Sequence, residues 1–213
     1  LKVINGGADA ILTTFGIAKK YQSALSGTNL ILRLDGGNSD LTNKVDRTLL
    51  YSVEDALRLG ADGVACMGFP GAKNEEETLT NLAKVASDCE KWNMPLIAEM
   101  LPGGFGNEVP NNLENIKFVS RIGAEMGADI IKTSYIGDEN EFKEVVEGTF
   151  SPIVILGGSK VESILDLFKV IENSNKVGAK GVAIGRNVWK HENPQKMTKA
   201  LVELVHNNKT AEE

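Results

Sequence analysis

Residues 127–132 read Gly127-Ala128-Asp129-Ile130-Ile131-Lys132, a layout in which glycine, alanine and a polar residue precede a short apolar run. The glycine suits the left-handed cap that ends a helix, and the apolar run suits a strand buried on both faces of a parallel sheet. Each copy of this layout therefore predicts a turn at which the chain leaves a helix and enters a strand. The layout recurs at Gly7-Ala8-Asp9-Ala10-Ile11-Leu12, Gly60-Ala61-Asp62-Gly63-Val64-Ala65 and Gly178-Ala179-Lys180-Gly181-Val182-Ala183.

Further elements lie between these copies. Seven strands that alternate with helices indicate an α/β protein, either a TIM (β/α)8 barrel or an open doubly wound sheet. A Rossmann-type sheet should carry a Gly-x-Gly-x-x-Gly turn and an acidic residue about 20 positions later, and neither feature is present. The sequence therefore predicts the barrel. The additional strands are predicted at residues 30–34, 95–98 and 153–156, and the helices at residues 53–59, 75–91, 113–126 and 162–173.

The chain is shorter than the barrel that its repeat predicts. A TIM barrel typically needs about 250 residues, and this chain has 213. It opens with a helix-like segment, Leu1-Lys2-Val3-Ile4, directly before the first repeat. We therefore expect that the first βα unit, with any residue that it contributes, is missing from this sequence. No linker or low-complexity segment divides residues 1–213, which predicts one domain.

Composition narrows the class of protein. A hydrophobic content of 42% and a charged content of 24% are typical of a soluble globular domain, and a net charge of -6 argues against a nucleic-acid partner. No apolar run approaches the roughly 18 residues of a membrane span. Cys66 and Cys89 lack metal-ligand spacing and predict reduced thiols in a cytoplasmic protein. With only His191 and His206, both near the C-terminus, we expect no metal site and no cofactor.

Lys132 is the most unusual charged residue, because Ile130 and Ile131 before it predict a buried strand. A lysine at the end of a parallel strand is partly desolvated, which leaves more free amine to attack a carbonyl and form a Schiff base. The alternative is a strand-end lysine that reaches solvent or pairs with a carboxylate. Ser134 shares a face with Lys132, since side chains alternate along a strand.

Other polar residues occur at the ends of predicted strands, where the active sites of parallel barrels lie. Arg33 and Asp35 share one face of their strand, and they form either a structural ion pair or part of the substrate site. Glu99 lies near a strand end beside apolar neighbours. Because a buried, unpaired acid is costly, a functional role is favoured for Glu99.

Two glycine loops follow the last two predicted strands. They contain Gly157, Gly158, Ser159 and Lys160 in one loop, and Gly185 and Arg186 in the other. Barrels often bind phosphate at these two positions, where backbone amides point at the anion and glycine permits close approach. Lys160 or Arg186 could add positive charge. The spacing predicts a phosphate site, although a single Gly-Gly turn is more often only a turn.

Three of these segments together resemble a known family. They are residues 127–135, residues 156–160 and Ile184-Gly185-Arg186-Asn187-Val188-Trp189, and the likeness extends to residues 13–18 and 52–56. They resemble the class I aldolases of the archaeal-type fructose-bisphosphate aldolase group, which is akin to deoxyribose-phosphate aldolase. That group also contains 2-amino-3,7-dideoxy-heptulosonate synthase and the autoinducer-2 phosphate-processing thiolase.

The resemblance implies a lyase of carbohydrate metabolism that acts on a phosphorylated ketose such as the glycolytic fructose bisphosphate. It implies that Lys132 is the Schiff-base lysine and that the glycine loops with Arg186 hold the substrate phosphate. No metal is needed in such chemistry, because the iminium does the polarising that a metal ion would do. The outer helices are amphipathic, which indicates either a homo-oligomer in which they face a partner or helices that pack only on their own barrel.

The chain departs from the family pattern at three places. Leu101 stands where the family usually carries a proton-transferring tyrosine, and Glu99 stands where its fructose-bisphosphate aldolases tend to have tryptophan. The acidic residue of the family's first strand has no counterpart in this sequence. Glu99 is therefore the predicted general acid/base, with Tyr135 as a second candidate. A thiolase- or transaldolase-type relative acting on another phosphorylated sugar, and a catalytically silent sugar-phosphate-binding barrel, stay open as alternatives.

Overall fold

Seven strands form a large parallel sheet in the part of the chain that the structure describes. The structure is a computed structural model that describes residues 1–36, 48–105, 109–158 and 163–213. Within these ranges the spatial order of the strands is β1-β2-β5-β6-β7-β8-β9, and every neighbouring pair is parallel. A separate antiparallel pair, β3 with β4, lies beyond the end of β2. The strands are β1 (Ala10–Thr13), β2 (Asn29–Arg33), β3 (Asp35–Gly36), β4 (Thr48–Leu49), β5 (Gly63–Gly68), β6 (Leu96–Met100), β7 (Ile130–Thr133), β8 (Ile153–Leu156) and β9 (Val182–Ala183).

Helices connect consecutive strands of the large sheet. This alternation of parallel strands and helices is the architecture of a TIM barrel, and the predicted fold class is confirmed. In the described ranges, no helix is both long and apolar enough to span a membrane. The helices are α1 (Lys2–Asn5), α2 (Phe15–Lys20), α3 (Gln22–Leu25), α4 (Val53–Arg58), α5 (Glu75–Trp92), α6 (Leu113–Glu125), α7 (Glu139–Glu147), α8 (Ile164–Lys176), α9 (Arg186–Trp189) and α10 (Pro194–His206).

The two faces of the sheet have different surroundings. The side chains of Leu32, Cys66, Met100 and Ile131 are fully buried in the main hydrophobic core, which the helices cover. Their sequence neighbours point to the opposite, inner face, because side chains alternate along each strand. The charged residues near the strand ends are on this inner face.

The glycines of the repeat end helices as predicted. Gly7, Gly60, Gly127 and Gly178 all adopt positive φ, between 73° and 103°. At these angles a side chain is strained, which explains why the layout uses glycine. The strand that follows each turn begins within a few residues.

The aspartate of the repeat has a structural role that the sequence did not reveal. The side chain of Asp129 accepts a hydrogen bond of 2.8 Å from the backbone N–H of Leu96, and that of Asp62 accepts one of 2.8 Å from Leu30. Each carboxylate therefore fixes the start of the neighbouring strand, and the backbone N–H of the same aspartate donates back to the carbonyl of the same strand residue, Leu96 or Leu30. The repeat thus sets strand register as well as the turn.

We expect Asp129→Ala to lower the free energy of unfolding by about 1–2 kcal/mol, because it removes a charge-assisted hydrogen bond to a strand N–H. Asp9→Ala is the matched control, since the Asp9 side chain instead pairs with exposed His206 at 3.0 Å and surface pairs contribute less than about 1 kcal/mol. Urea unfolding of both variants measures the difference. An equal decrease in the free energy of unfolding of the two variants would show that the hydrogen bond at the strand start contributes no more than a surface ion pair.

Candidate active site

Four charged side chains meet on the inner face of the sheet. Lys132 of β7 and Glu99 of β6 are direct register partners across neighbouring parallel strands. Arg33, the last residue of β2, reaches them across β5, and Asp35 of β3 lies beside Arg33. The sequence predicted all four as site residues, and the structure brings them together at the C-terminal ends of the strands.

The contacts form a chain of alternating charge. Lys132 Nζ lies 3.0 Å from Glu99 Oε1, and the other carboxylate oxygen of Glu99 accepts a short hydrogen bond from Arg33 Nη2. Arg33 Nη1 lies 3.3 Å from Asp35 Oδ1. The exposed fraction of the side chain is 12% for Lys132, 8% for Glu99, 12% for Arg33 and 2% for Asp35. The charges are therefore largely buried. Buried charge pairs interact more strongly than pairs at the surface, because the protein interior screens them less than water does.

The surroundings of Lys132 favour its neutral form. Burial lowers the pKa of the Lys132 amine, and the positive charge of Arg33 lowers it further. Glu99 acts in the opposite direction through its charge and hydrogen bond, but the net pKa is below the ordinary lysine value. A larger share of Lys132 is thus available as the nucleophilic amine. The sequence analysis offered a desolvated lysine and a lysine paired with a carboxylate as alternatives, and in the structure Lys132 is both.

Glu99 is held as a carboxylate. Burial on its own would raise the pKa of Glu99, but the charges of Arg33 and Lys132 and their hydrogen bonds outweigh burial and lower it. An ionised carboxylate accepts protons and cannot donate one. In the resting site Glu99 is therefore suited to the base half of acid/base chemistry and to stabilising a cation on Lys132.

The two glycine loops contact each other. Arg186 Nη2 donates a hydrogen bond of 3.0 Å to the Gly158 carbonyl, and the Asn187 side chain donates one of 2.8 Å to the Gly157 carbonyl. A Cβ atom added to Gly185 would lie 2.3 Å from the ring of Trp189, so this position admits only glycine without rearrangement. Ser159 and Lys160, the other predicted phosphate ligands, lie outside the described residues. The bridging role of Asn187 was missed, because sequence spacing does not show which loop a side chain will reach.

The residues after Lys132 point to different sides of the sheet. Ser134 directly follows the end of β7 and is partly buried, and its position two residues after Lys132 assigns it to the same face. Tyr135 packs against Phe142 of α7, with ring centroids 4.9 Å apart, which places it on the helix-covered side. The second candidate for proton transfer is thus directed away from the lysine, as the alternation of side chains in a strand requires.

An apolar layer lies beside and beyond the charged cluster on the inner face. Met67 of β5 is the register partner of Glu99, and its side chain packs with Phe69 and Leu101. Leu156, which ends β8, packs against the same group. We call Met67, Phe69, Leu101 and Leu156 the apolar layer. Its position beside Glu99 was not predicted, because a methionine in an apolar strand has no distinguishing sequence signal.

Comparison with known proteins gives a consistent result. A family model described as DeoC/LacD family aldolase matches residues 1–191. A 2-amino-3,7-dideoxy-D-threo-hept-6-ulosonate synthase of Halobacterium salinarum is 33% identical over 97% of this chain and 77% of that protein. A 3-hydroxy-5-phosphonooxypentane-2,4-dione thiolase of Yersinia enterocolitica is 33% identical over 96% of this chain and 68% of that protein.

Solved structures extend the comparison to three dimensions. One is an archaeal fructose-1,6-bisphosphate aldolase with its catalytic lysine covalently bound to the carbinolamine intermediate of the substrate. It is 33% identical to this chain, with a TM-score of 0.88, and the match covers 96% of this chain and 81% of that one.

We expect Glu99→Gln to make Lys132 more reactive toward acetic anhydride on the acid side of its titration. Loss of the counter-charge lowers the lysine pKa further, so more amine is neutral at a given pH, and the acetylation rate should rise roughly tenfold there. Peptide mass spectrometry across a pH series measures this, with exposed Lys190 as the internal reference. A titration of Lys132 that moves to higher pH would contradict the assigned role of Glu99.

Proposed function

The chain belongs to the DeoC/LacD aldolase family, and from this premise we propose that it is a class I aldolase that cleaves or forms a carbon–carbon bond in a phosphorylated ketose. The observation that carries the proposal is the desolvated amine of Lys132, 3.0 Å from a carboxylate at the C-terminal ends of parallel strands. Barrel enzymes place their chemistry at these strand ends, and a desolvated lysine is an activated nucleophile.

The first steps join the substrate to Lys132. The neutral amine attacks the substrate carbonyl carbon, so that a nitrogen–carbon bond forms, and one proton passes from the nitrogen to the former carbonyl oxygen to give a carbinolamine. Loss of the hydroxyl group as water, with a proton added to it, leaves a cationic iminium on Nζ. Glu99 lies close enough to balance that positive charge, since its Oε1 contacts Nζ.

The carbon–carbon bond then breaks toward the iminium. A base removes the proton of the hydroxyl group on the far carbon of the breaking bond, that carbon leaves as an aldehyde, and the bonding electron pair forms an enamine on the lysine-bound fragment. Protonation of the enamine carbon and hydrolysis of the new iminium release the ketone and restore the amine. We assign the base to Glu99, because it is ionised and therefore able to accept a proton, and because its oxygen is beside Nζ.

The substrate phosphate is assigned to the two glycine loops. Gly157, Gly158 and Gly185 permit close approach of an anion to the backbone, and Arg186 adds a positive charge at the Gly158 loop. Ser159 and Lys160 complete the proposed phosphate site. Ser134, on the face of Lys132, is assigned to substrate contact. The homo-oligomeric assembly and cytoplasmic location stay predictions.

Fructose bisphosphate is the first candidate substrate. The solved archaeal fructose-1,6-bisphosphate aldolase, at 33% identity and a TM-score of 0.88, supports it. In that case the fragment on Lys132 is dihydroxyacetone phosphate, which carries a free hydroxyl group next to its carbonyl.

A phosphorylated substrate with fewer hydroxyl groups is the second candidate, and the apolar layer favours it. Leu101 and Met67 flank Glu99 on the inner face and offer no partner to a hydroxyl group. A hydroxyl group buried without a hydrogen bond costs free energy, whereas a methyl group there gains from burial. The synthase and the thiolase named above are relatives whose activities differ from that of fructose-bisphosphate aldolase, which is consistent with this alternative.

We expect sodium borohydride to trap a reduced adduct on Lys132 when the protein is incubated with dihydroxyacetone phosphate or with hydroxyacetone phosphate, its analogue lacking one hydroxyl group. Intact mass and peptide mapping identify the adduct. Lys132→Met should abolish trapping and lower turnover by about a thousandfold or more, while Lys190→Met, an exposed control, should change neither.

The two ligands separate the candidates. Faster trapping of dihydroxyacetone phosphate supports a fructose-bisphosphate-like substrate, and faster trapping of the deoxy analogue supports the less hydroxylated class. A folded protein that binds phosphate ligands and yields no adduct with either would refute the aldolase proposal and support a silent sugar-phosphate-binding barrel.

A further inference from the structure

Arg33 is bound on both sides by carboxylates of the protein. Its Nη1 contacts Asp35 at 3.3 Å, and its Nη2 donates to the Glu99 oxygen that does not face Lys132. The register of β2 with β5 pairs Arg33 with Ala65, two residues before Met67, the register partner of Glu99. The guanidinium therefore reaches up to Glu99 from one side-chain layer below the Lys132–Glu99 pair.

We propose that Arg33 is a positioning residue, which fixes one oxygen of Glu99 and shares its negative charge, so that the other oxygen orients Lys132 without holding its proton too strongly. The proposal rests on the Schiff-base function argued above and goes beyond it by assigning Arg33 to the lysine rather than to the substrate phosphate.

The charge balance of the cluster supports this role. Within the described residues, the charged groups on the inner face toward Lys132 are Glu99 from β6, Arg33 from β2 and Asp35 from β3. On the flanking strands, the register partner of Lys132 on β8 is Val154, and that of Glu99 on β5 is Met67. If Arg33 were absent, Glu99 would have Lys132 as its one cationic partner there.

An undivided Glu99 charge would oppose the chemistry. A buried carboxylate that pairs only with Lys132 stabilises the ammonium form, and an ammonium has no lone pair with which to attack a carbonyl. Arg33 weakens the stabilisation of the ammonium form in two ways. It neutralises part of the Glu99 charge, and its own positive charge repels a proton on Nζ. The depressed pKa of Lys132, to which the charge of Arg33 contributes, agrees with this geometry.

Arginine suits the position for a geometric reason. Its planar fork presents separate N–H groups to two carboxylates at once and stays charged when buried. Arg33 indeed has its pKa raised by Glu99 and Asp35, against the lowering effect of burial. A lysine would retain the charge but would hold the Glu99 carboxylate less rigidly.

The test compares Arg33→Met, Arg33→Lys and the control Arg121→Met, which removes an exposed arginine of α6. Acetylation of Lys132 across a pH series reports the lysine's titration whether or not the protein is an aldolase. We expect Arg33→Met to slow acetylation on the acid limb by roughly tenfold and move that limb to higher pH. Arg33→Lys should restore most of the rate, and Arg121→Met should match the unaltered protein.

A second variant and a phosphate-binding measurement complete the test. If Arg33→Met does not fold, as judged by circular dichroism, the charge-balanced variant Arg33→Met with Asp35→Asn replaces it and should show the same upward movement. An unchanged acid limb would overturn the proposal, and loss of affinity for inorganic phosphate alongside it would identify Arg33 as a substrate ligand. Failure of borohydride trapping in the unaltered protein would refute the Schiff-base function separately.

Discussion

The ion pair between Lys132 and Glu99 is the interaction on which the rest of the site depends. Two side chains that are register partners on adjacent parallel strands meet with 3.0 Å between Nζ and Oε1. In water such a pair would be weak. Here burial disfavours both charged forms, and the attraction between the two groups offsets part of that cost. The balance leaves the lysine with a lowered pKa and the carboxylate ionised, a state suited to a nucleophile beside a base.

The fold places this pair by simple geometric rules. Parallel strands in register align their ends, and the alternation of side chains sends Lys132, Glu99 and Arg33 to one face and the main core to the other. Asp62 and Asp129 fix the starts of β2 and β6, so that the same register is carried to the ends where the charged residues lie. A one-residue slip of β7 would exchange Lys132 for Ile131 or Thr133 and destroy the site.

The fold and the four residues of the charged cluster were predictable from the sequence. The repeated glycine turns marked the helix ends, and Lys132 stood out because it interrupts an apolar run. The contact between Arg33 and Glu99 was not predictable, since 66 residues separate them and only the sheet brings them together. The apolar layer and the link from Asn187 to the Gly157 carbonyl were missed for the same reason, as each depends on which neighbouring strand or loop a side chain reaches.

The central claim is that the amine of Lys132 forms a covalent nitrogen–carbon bond with a phosphorylated ketone. Carbon-13 NMR with dihydroxyacetone phosphate or hydroxyacetone phosphate, labelled at the carbonyl carbon, tests it without a reducing agent. We expect a protein-bound resonance of a carbinolamine or iminium carbon with at least one of the two ligands, and its absence from Lys132→Met. Spectra that contain only ketone and hydrate resonances at saturating protein would show that Lys132 forms no such bond.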